Sequence, residues 1–227
     1  MIGALLCEVE DVLATTGPLR QAALVRAFAE DGGALTQTRD VRNGTWASTR
    51  DAVRRALGDR DGARDETAIT ILAHRADRYF AALVATGVSL APGARELIAL
   101  AAGRWRLAIV TTMERATVEY VLSSAELESF FEVIIASDDM VAEKPSPDGY
   151  RRALARMRRR RALETGSAVA LENGAAGAAA AWAAGLRCVV IRATGDMGAI
   201  EADVLLSSLA GQTPTTLEAA LTMEAVR

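Results

Sequence analysis

Four short stretches hold the residues whose types suit displacement at phosphorus. Glu8 and Glu10 lie two positions apart in Leu5-Leu6-Cys7-Glu8-Val9-Glu10-Asp11-Val12-Leu13, and Thr111 follows Leu107-Ala108-Ile109-Val110. Lys144 stands in Glu143-Lys144-Pro145-Ser146-Pro147-Asp148, and Glu172-Asn173 follows Ala168-Val169-Ala170-Leu171. A carboxylate can attack as a nucleophile, and a second can move the proton of the leaving group. A hydroxyl and an ammonium hold phosphoryl oxygens by hydrogen bond and charge. Carboxylate and carboxamide oxygens are the ligands that a hard cation such as Mg²⁺ takes.

These pieces need a scaffold that gathers them, and the periodicity supplies one. A short apolar strand opens the chain, followed by about seventy polar, helical residues, with Ala22–Glu30, Thr49–Leu57 and Thr67–Val84 as the clearest helices. Beyond Val88 helices and strands alternate. The expected helices are Gly93–Ala102, Ala116–Ser123, Asp148–Met157, Ala175–Ala184 and Leu217–Met223. The expected strands are Leu107–Val110, Val133–Ala136, Ala168–Leu171, Cys188–Ile191 and Val204–Leu206. Such alternation implies parallel pairing and right-handed crossovers. The expected fold class is therefore α/β, a doubly wound parallel sheet interrupted after its first strand by a small inserted α-helical domain. Open parallel sheets bind ligands at the carboxyl ends of their strands, and all four stretches fall there.

Composition narrows the partners. Of 227 residues, 51% are apolar and 24% charged, enough for a sizeable core, and the formal net charge of -3 gives no general field for nucleic acid or acidic membranes. The basic run Arg158–Arg161 reads as a solvated helix end. Met1–Leu6 is too short for a signal peptide and no uncharged run approaches the ~18 residues of a membrane span, so a cytoplasmic protein is expected. Cys7 and Cys188 sit in apolar runs and read as buried thiols without a disulfide. His74 is the only histidine, which excludes a histidine-based triad or a multi-histidine metal site, and it reads as a surface residue.

On these residues the chain resembles the haloacid dehalogenase (HAD) superfamily. Its inserted helices are similar to the cap of the subgroup containing β-phosphoglucomutase and CbbY-like sugar phosphatases. Further motifs of the resemblance are Ala91-Pro92-Gly93, and Gly177 with the Ala179–Leu186 run that follows it. The resemblance implies a Rossmann-like core at residues 1–15 and 88–227 and a cap at 16–87. It implies Glu8 at the nucleophile position, Glu10 at the acid/base position, and Thr111 and Lys144 as holders of the phosphoryl group. It also implies a Mg²⁺ site drawn from Glu8, Glu10, Glu172 and Asn173. The substrate would be a small phosphorylated metabolite, met by Thr112, Arg115 and the cap loop Arg42-Asn43-Gly44-Thr45-Trp46-Ala47-Ser48. Trp46 can equally pack inside the cap, and Arg115 can equally face water.

The chain departs from the family pattern where chemistry is most sensitive. Members carry Asp-x-Asp-Gly in the first motif, whereas this chain has Glu8 and Glu10, each one methylene longer, and Asp11 in place of Gly. A displacement of about 1 Å at a reacting centre can cost on the order of 10²-fold in rate. Asn173 stands where Asp is usual and removes a charge from the expected metal site. Asp11 either restores that charge or is a loop carboxylate. Two functions are consistent with this pattern: a Mg²⁺-dependent phosphatase or phosphomutase with impaired activity, and a catalytically silent member that binds a phosphorylated ligand or partner. A metal-independent dehalogenase ranks below both, because the acidic constellation has metal-site character.

Overall fold

The computed structural model describes residues 2–31, 48–57, 66–192 and 200–224. The chain divides into two compact units, one of Met1–Thr15 with Ser89–Arg227 and one of Thr16–Val88.

The first unit is built on a six-stranded sheet in which every pairing is parallel. Its strands are β1 (Ala4–Cys7), β2 (Arg106–Val110), β3 (Val133–Ile135), β4 (Ala168–Glu172), β5 (Arg187–Ile191) and β6 (Val204–Leu206). They lie in the order β3-β2-β1-β4-β5-β6. The two central strands, β1 and β4, are buried at every position, as expected of a parallel sheet covered on both faces. Strand order reverses at β1, between β2 and β4, and this places a crevice at the carboxyl ends of those three strands.

Around the sheet run α4 (Ala94–Ala102), α5 (Arg115–Ser124), α6 (Asp148–Arg160), α7 (Ala175–Ala183) and α8 (Pro214–Glu224). On one face, Tyr150, Ala153, Leu154 and Met157 of α6 and Ala178, Ala180 and Ala181 of α7 pack with Leu6, Val110, Ile135, Ala170 and Val190. The spacing of those α6 residues is that of one helical face. The run Arg158–Arg160 forms the exposed last turn of α6, three residues longer than the periodicity indicated, where cations suit the carbonyl end of a helix. Strand β3 ends one residue earlier than expected, because Ala136 turns into a short 3-10 helix at Ser137–Asp139.

The second unit is helical: α1 (Gly17–Glu30), α2 (Thr49–Leu57) and α3 (Glu66–Val84). Helix α1 starts five residues before its periodic segment, with a proline in its first turn, where the missing N–H costs nothing. Leu24, Ala27 and Phe28 of α1 pack with Ala52 and Val53 of α2 and with Ile69, Leu72, Ala73 and Ala76 of α3. Arg20 is buried there, donating to Thr49 Oγ1 at 3.0 Å and to Asp77 at 2.8 Å while lying over the Phe80 ring. His74 is exposed on α3. Cys7 and Cys188 are buried free thiols. No helix among the described residues is long and apolar enough to cross a membrane.

Candidate functional site

Strand β1 delivers Glu8 to the crevice. The Glu8 N–H still bonds the Leu171 carbonyl at 2.9 Å, and the chain then leaves the sheet in a tight turn. In that turn the N–H groups of Leu13 and Ala14 both bond the Val9 carbonyl, and Asp11 N–H bonds the Ala14 carbonyl. Asp11 adopts a left-handed conformation with φ 53°, which Asp tolerates better than most residues. The turn buries Val9, Val12, Leu13 and Ala14 and leaves Asp11 exposed. It aims the amides of Val9 and Glu10 back at the Glu8 side chain.

Glu8 is 2% exposed, and four donors meet its carboxylate. Oε1 accepts from Val9 N–H at 2.7 Å, from Glu10 N–H at 3.2 Å and from the Thr111 hydroxyl. Oε2 accepts from Lys144 Nζ at 2.6 Å. Thr111, at the end of β2, is fully buried, and its oxygen also accepts from Met113 N–H at 3.2 Å. Lys144 reaches in from the loop after β3 and donates to the Val110 carbonyl at 3.0 Å as well.

The same ammonium lies 2.5 Å from Glu172 Oε1, so one cation bridges two carboxylates. Tyr150 of α6 donates its hydroxyl to that Oε1 atom. Asn173 N–H lies 3.4 Å from Glu172 Oε2, and the Asn173 carboxamide donates to the Glu10 carbonyl at 2.9 Å. Glu172 fits because residue 177 is glycine: a Cβ there would sit 2.0 Å from Oε2.

Charge and burial set the proton affinities together. For Lys144, burial is the largest single influence and disfavours the ammonium, but the charges of Glu172 and Glu8 outweigh it and hold the group protonated beyond the ordinary lysine range. Burial raises the Glu172 carboxyl above its usual range; Lys144 opposes this and Glu8 adds to it. Burial and then the Glu172 charge keep the Tyr150 phenol neutral. Burial, reinforced by Glu172 and Glu8, keeps the Cys7 thiol protonated, so it is no nucleophile.

The structure thus brings together Glu8, Thr111, Lys144, Glu172 and Asn173, with Glu10 joined through its backbone. Thr112 is half-buried beside Thr111. Arg115, expected to reach an anionic substrate or to face water, is instead clamped into the scaffold. Its guanidinium bonds Asp139, Glu119 at 3.3 Å and the Ile134 carbonyl at 3.0 Å. Asp139 is the partner that sequence reading missed, because it stands in the unassigned segment between β3 and α6. Tyr150 was missed as well; its position in α6, shortly after the Lys144 loop, was the available signal. Arg42, Gly44 and Trp46 lie outside the described residues.

The arrangement does not fit Mg²⁺ as it stands. The two buried carboxylates share the Lys144 ammonium, Asn173 presents an amide donor to the Glu10 carbonyl, and no group of three His, Cys, Asp or Glu side chains gathers among the described residues.

A parallel sheet with this strand order, carrying an acidic and cationic cluster at its switch point, defines a Rossmann-like α/β core. A family model described as haloacid dehalogenase-like hydrolase matches residues 9–191, and the chain belongs to that family. It is 34% identical over 196 residues to Protein CbbY from Rhodobacter capsulatus, covering 82% of this chain and 84% of that protein. A crystal structure of CbbY from Rhodobacter sphaeroides in complex with phosphate matches with a TM-score of 0.77 and 32% identity, over 96% of this chain and 100% of that one. A mutant of the same protein in complex with xylulose-(1,5)bisphosphate matches with a TM-score of 0.77 and 33% identity, over 96% and 99%.

Proposed function

We propose that this chain receives the phosphoryl group of a small phosphorylated metabolite at the carboxyl ends of β1, β2 and β4 and hydrolyses it slowly. The observation that supports this reading is the convergence of Thr111 and Lys144, each more than a hundred positions from Glu8, on the Glu8 carboxylate. A glutamyl oxygen of Glu8 would attack phosphorus while the ester P–O bond breaks. Glu10 would give its proton to the departing alkoxide, and water would then cleave the acyl phosphate. Thr111 and Lys144 would hold the phosphoryl oxygens. The helical unit Thr16–Val88 would act as the cap that excludes water. The CbbY complexes with phosphate and with a sugar bisphosphate favour a sugar phosphate as substrate.

A second reading, a member that binds a phosphorylated ligand without turning it over, is favoured by one feature. Both Glu8 oxygens are already engaged by donors, which quenches a nucleophile.

The test is phosphate release from a panel of sugar phosphates, including xylulose bisphosphate, and from an aryl phosphate, with wild type and Glu8→Ala side by side. Release lost in Glu8→Ala supports the glutamyl nucleophile. Release no higher than in the variant sinks the catalytic reading and leaves the binding one.

A further inference from the structure

We infer that Glu8 is itself the occupant of the phosphoryl seat, so that an incoming phosphate competes with a side chain of the protein. This rests on the reading of the pocket as a phosphoryl site and names how that site is regulated. Two successive backbone N–H groups, a hydroxyl and an ammonium are the donor set that stabilises a phosphoryl oxyanion. Here all four point at one carboxylate: Val9 N–H at 2.7 Å, Glu10 N–H at 3.2 Å, the Thr111 hydroxyl, and Lys144 Nζ at 2.6 Å. Two of these donors come from the turn after β1, one from the end of β2, and one from the loop after β3. The Glu8 side chain carries its carboxylate to the point where they meet.

Shortening that side chain by one methylene would withdraw the carboxylate by roughly 1.5 Å, one carbon–carbon bond. It would then no longer span from β1 to both Thr111 and Lys144. Glu8 is 2% exposed and its two oxygens take all four donors, so an anion that uses those donors displaces the carboxylate from them. Apparent affinity then falls by the fraction of molecules in which the seat is vacated.

The experiment is calorimetric titration of inorganic phosphate into folded wild type, Glu8→Asp and Glu8→Ala. Glu8→Asp is the deciding variant, because it keeps the negative charge and changes only the reach. The expected result is phosphate binding at least tenfold tighter in Glu8→Asp than in wild type, tighter binding again in Glu8→Ala, and loss of the gain when Thr111→Val is added to either. Equal affinity in wild type and Glu8→Asp overturns the inference while leaving the phosphoryl site in place. A gain confined to Glu8→Ala also overturns it, since repulsion alone explains that pattern. No binding by any of the three overturns both the inference and the phosphoryl reading beneath it.

Discussion

Replacing Lys144 with methionine removes the cation that bridges Glu8 and Glu172, which are 2% and 0% exposed. Breaking one buried ion pair by deleting a partner typically costs about 3–5 kcal/mol, because an uncompensated charge stays behind. Two such charges would stay behind here, so the upper part of that range applies at pH 8. For a chain of 150–250 residues each kcal/mol shifts the melting temperature by roughly 2–4 °C, giving a loss on the order of 10–20 °C for Lys144→Met. The loss depends on pH. The folded Glu172 carboxyl is already held above its unfolded range by burial, and removing Lys144 raises it further. A raised carboxyl contributes stability below the unfolded pKa and loses it as pH rises through the folded value. The deficit of Lys144→Met relative to wild type should therefore shrink towards pH 5 and grow towards pH 8. Denaturant unfolding at both pH values, with circular dichroism to confirm folding, measures it. A deficit under about 1 kcal/mol at pH 8, or one of equal size at both pH values, would refute the account of Lys144 as the counter-ion of both carboxylates.

Gly177→Ala places a Cβ 2.0 Å from Glu172 Oε2 and should cost about 1–3 kcal/mol, with part recovered when Glu172→Asp is added; unfolding of the double-mutant cycle reads the coupling. Asp139→Asn should cost about 1–3 kcal/mol at pH 7 by loosening Arg115, Arg156 and the Ala136 N–H, as measured in urea. Burial works against ionisation of Asp139, but the Ala136 amide and then Arg156 and Arg115 hold its carboxyl below the usual range. Its contribution is therefore present above the unfolded pKa and lost as pH falls through the folded value, and the acid limb of the stability curve below about pH 4 should flatten in the variant. Millimolar Mg²⁺ or chelator should leave the melting temperature of wild type unchanged; a cation present at 100 times its dissociation constant would add about 2.7 kcal/mol, which thermal melting resolves easily.

The sheet was legible because apolar strands alternating with helices admit few arrangements, and the strand ends then fixed which residues gather. Side-chain aim was not legible. Glu8, Thr111 and Lys144 are expected at neighbouring strand ends and lie in hydrogen-bond contact, but residue types do not say whether two donors will face a vacant seat or the carboxylate next to it. Glu172 read as an acid near a metal position; its partner Tyr150 lay in a helix whose periodicity accounted for it fully as core. Gly177 read as part of a family motif, and the structure gives it the task of clearing space for Glu172. Arg115 was misplaced because its partner Asp139 sits in a 3-10 turn without apolar periodicity to mark it.

The strand order has a consequence for synthesis. Strand β1 lies at the middle of the sheet, yet its neighbours begin at Arg106 and Ala168, so Ala4 waits for residues that leave the ribosome much later. At ~5–20 residues per second that delay amounts to several seconds for β2 and longer for β4. Through that interval a fully buried strand has both its edges bare. The helical unit is made in the meantime and has a core of its own. The residues that flank it, Thr15 and Ser89, are joined within the sheet unit by an N–H to carbonyl bond at 2.9 Å. An insertion that folds early would shorten the loop to be closed between β1 and β2, so variants that loosen its core should slow the folding of the sheet.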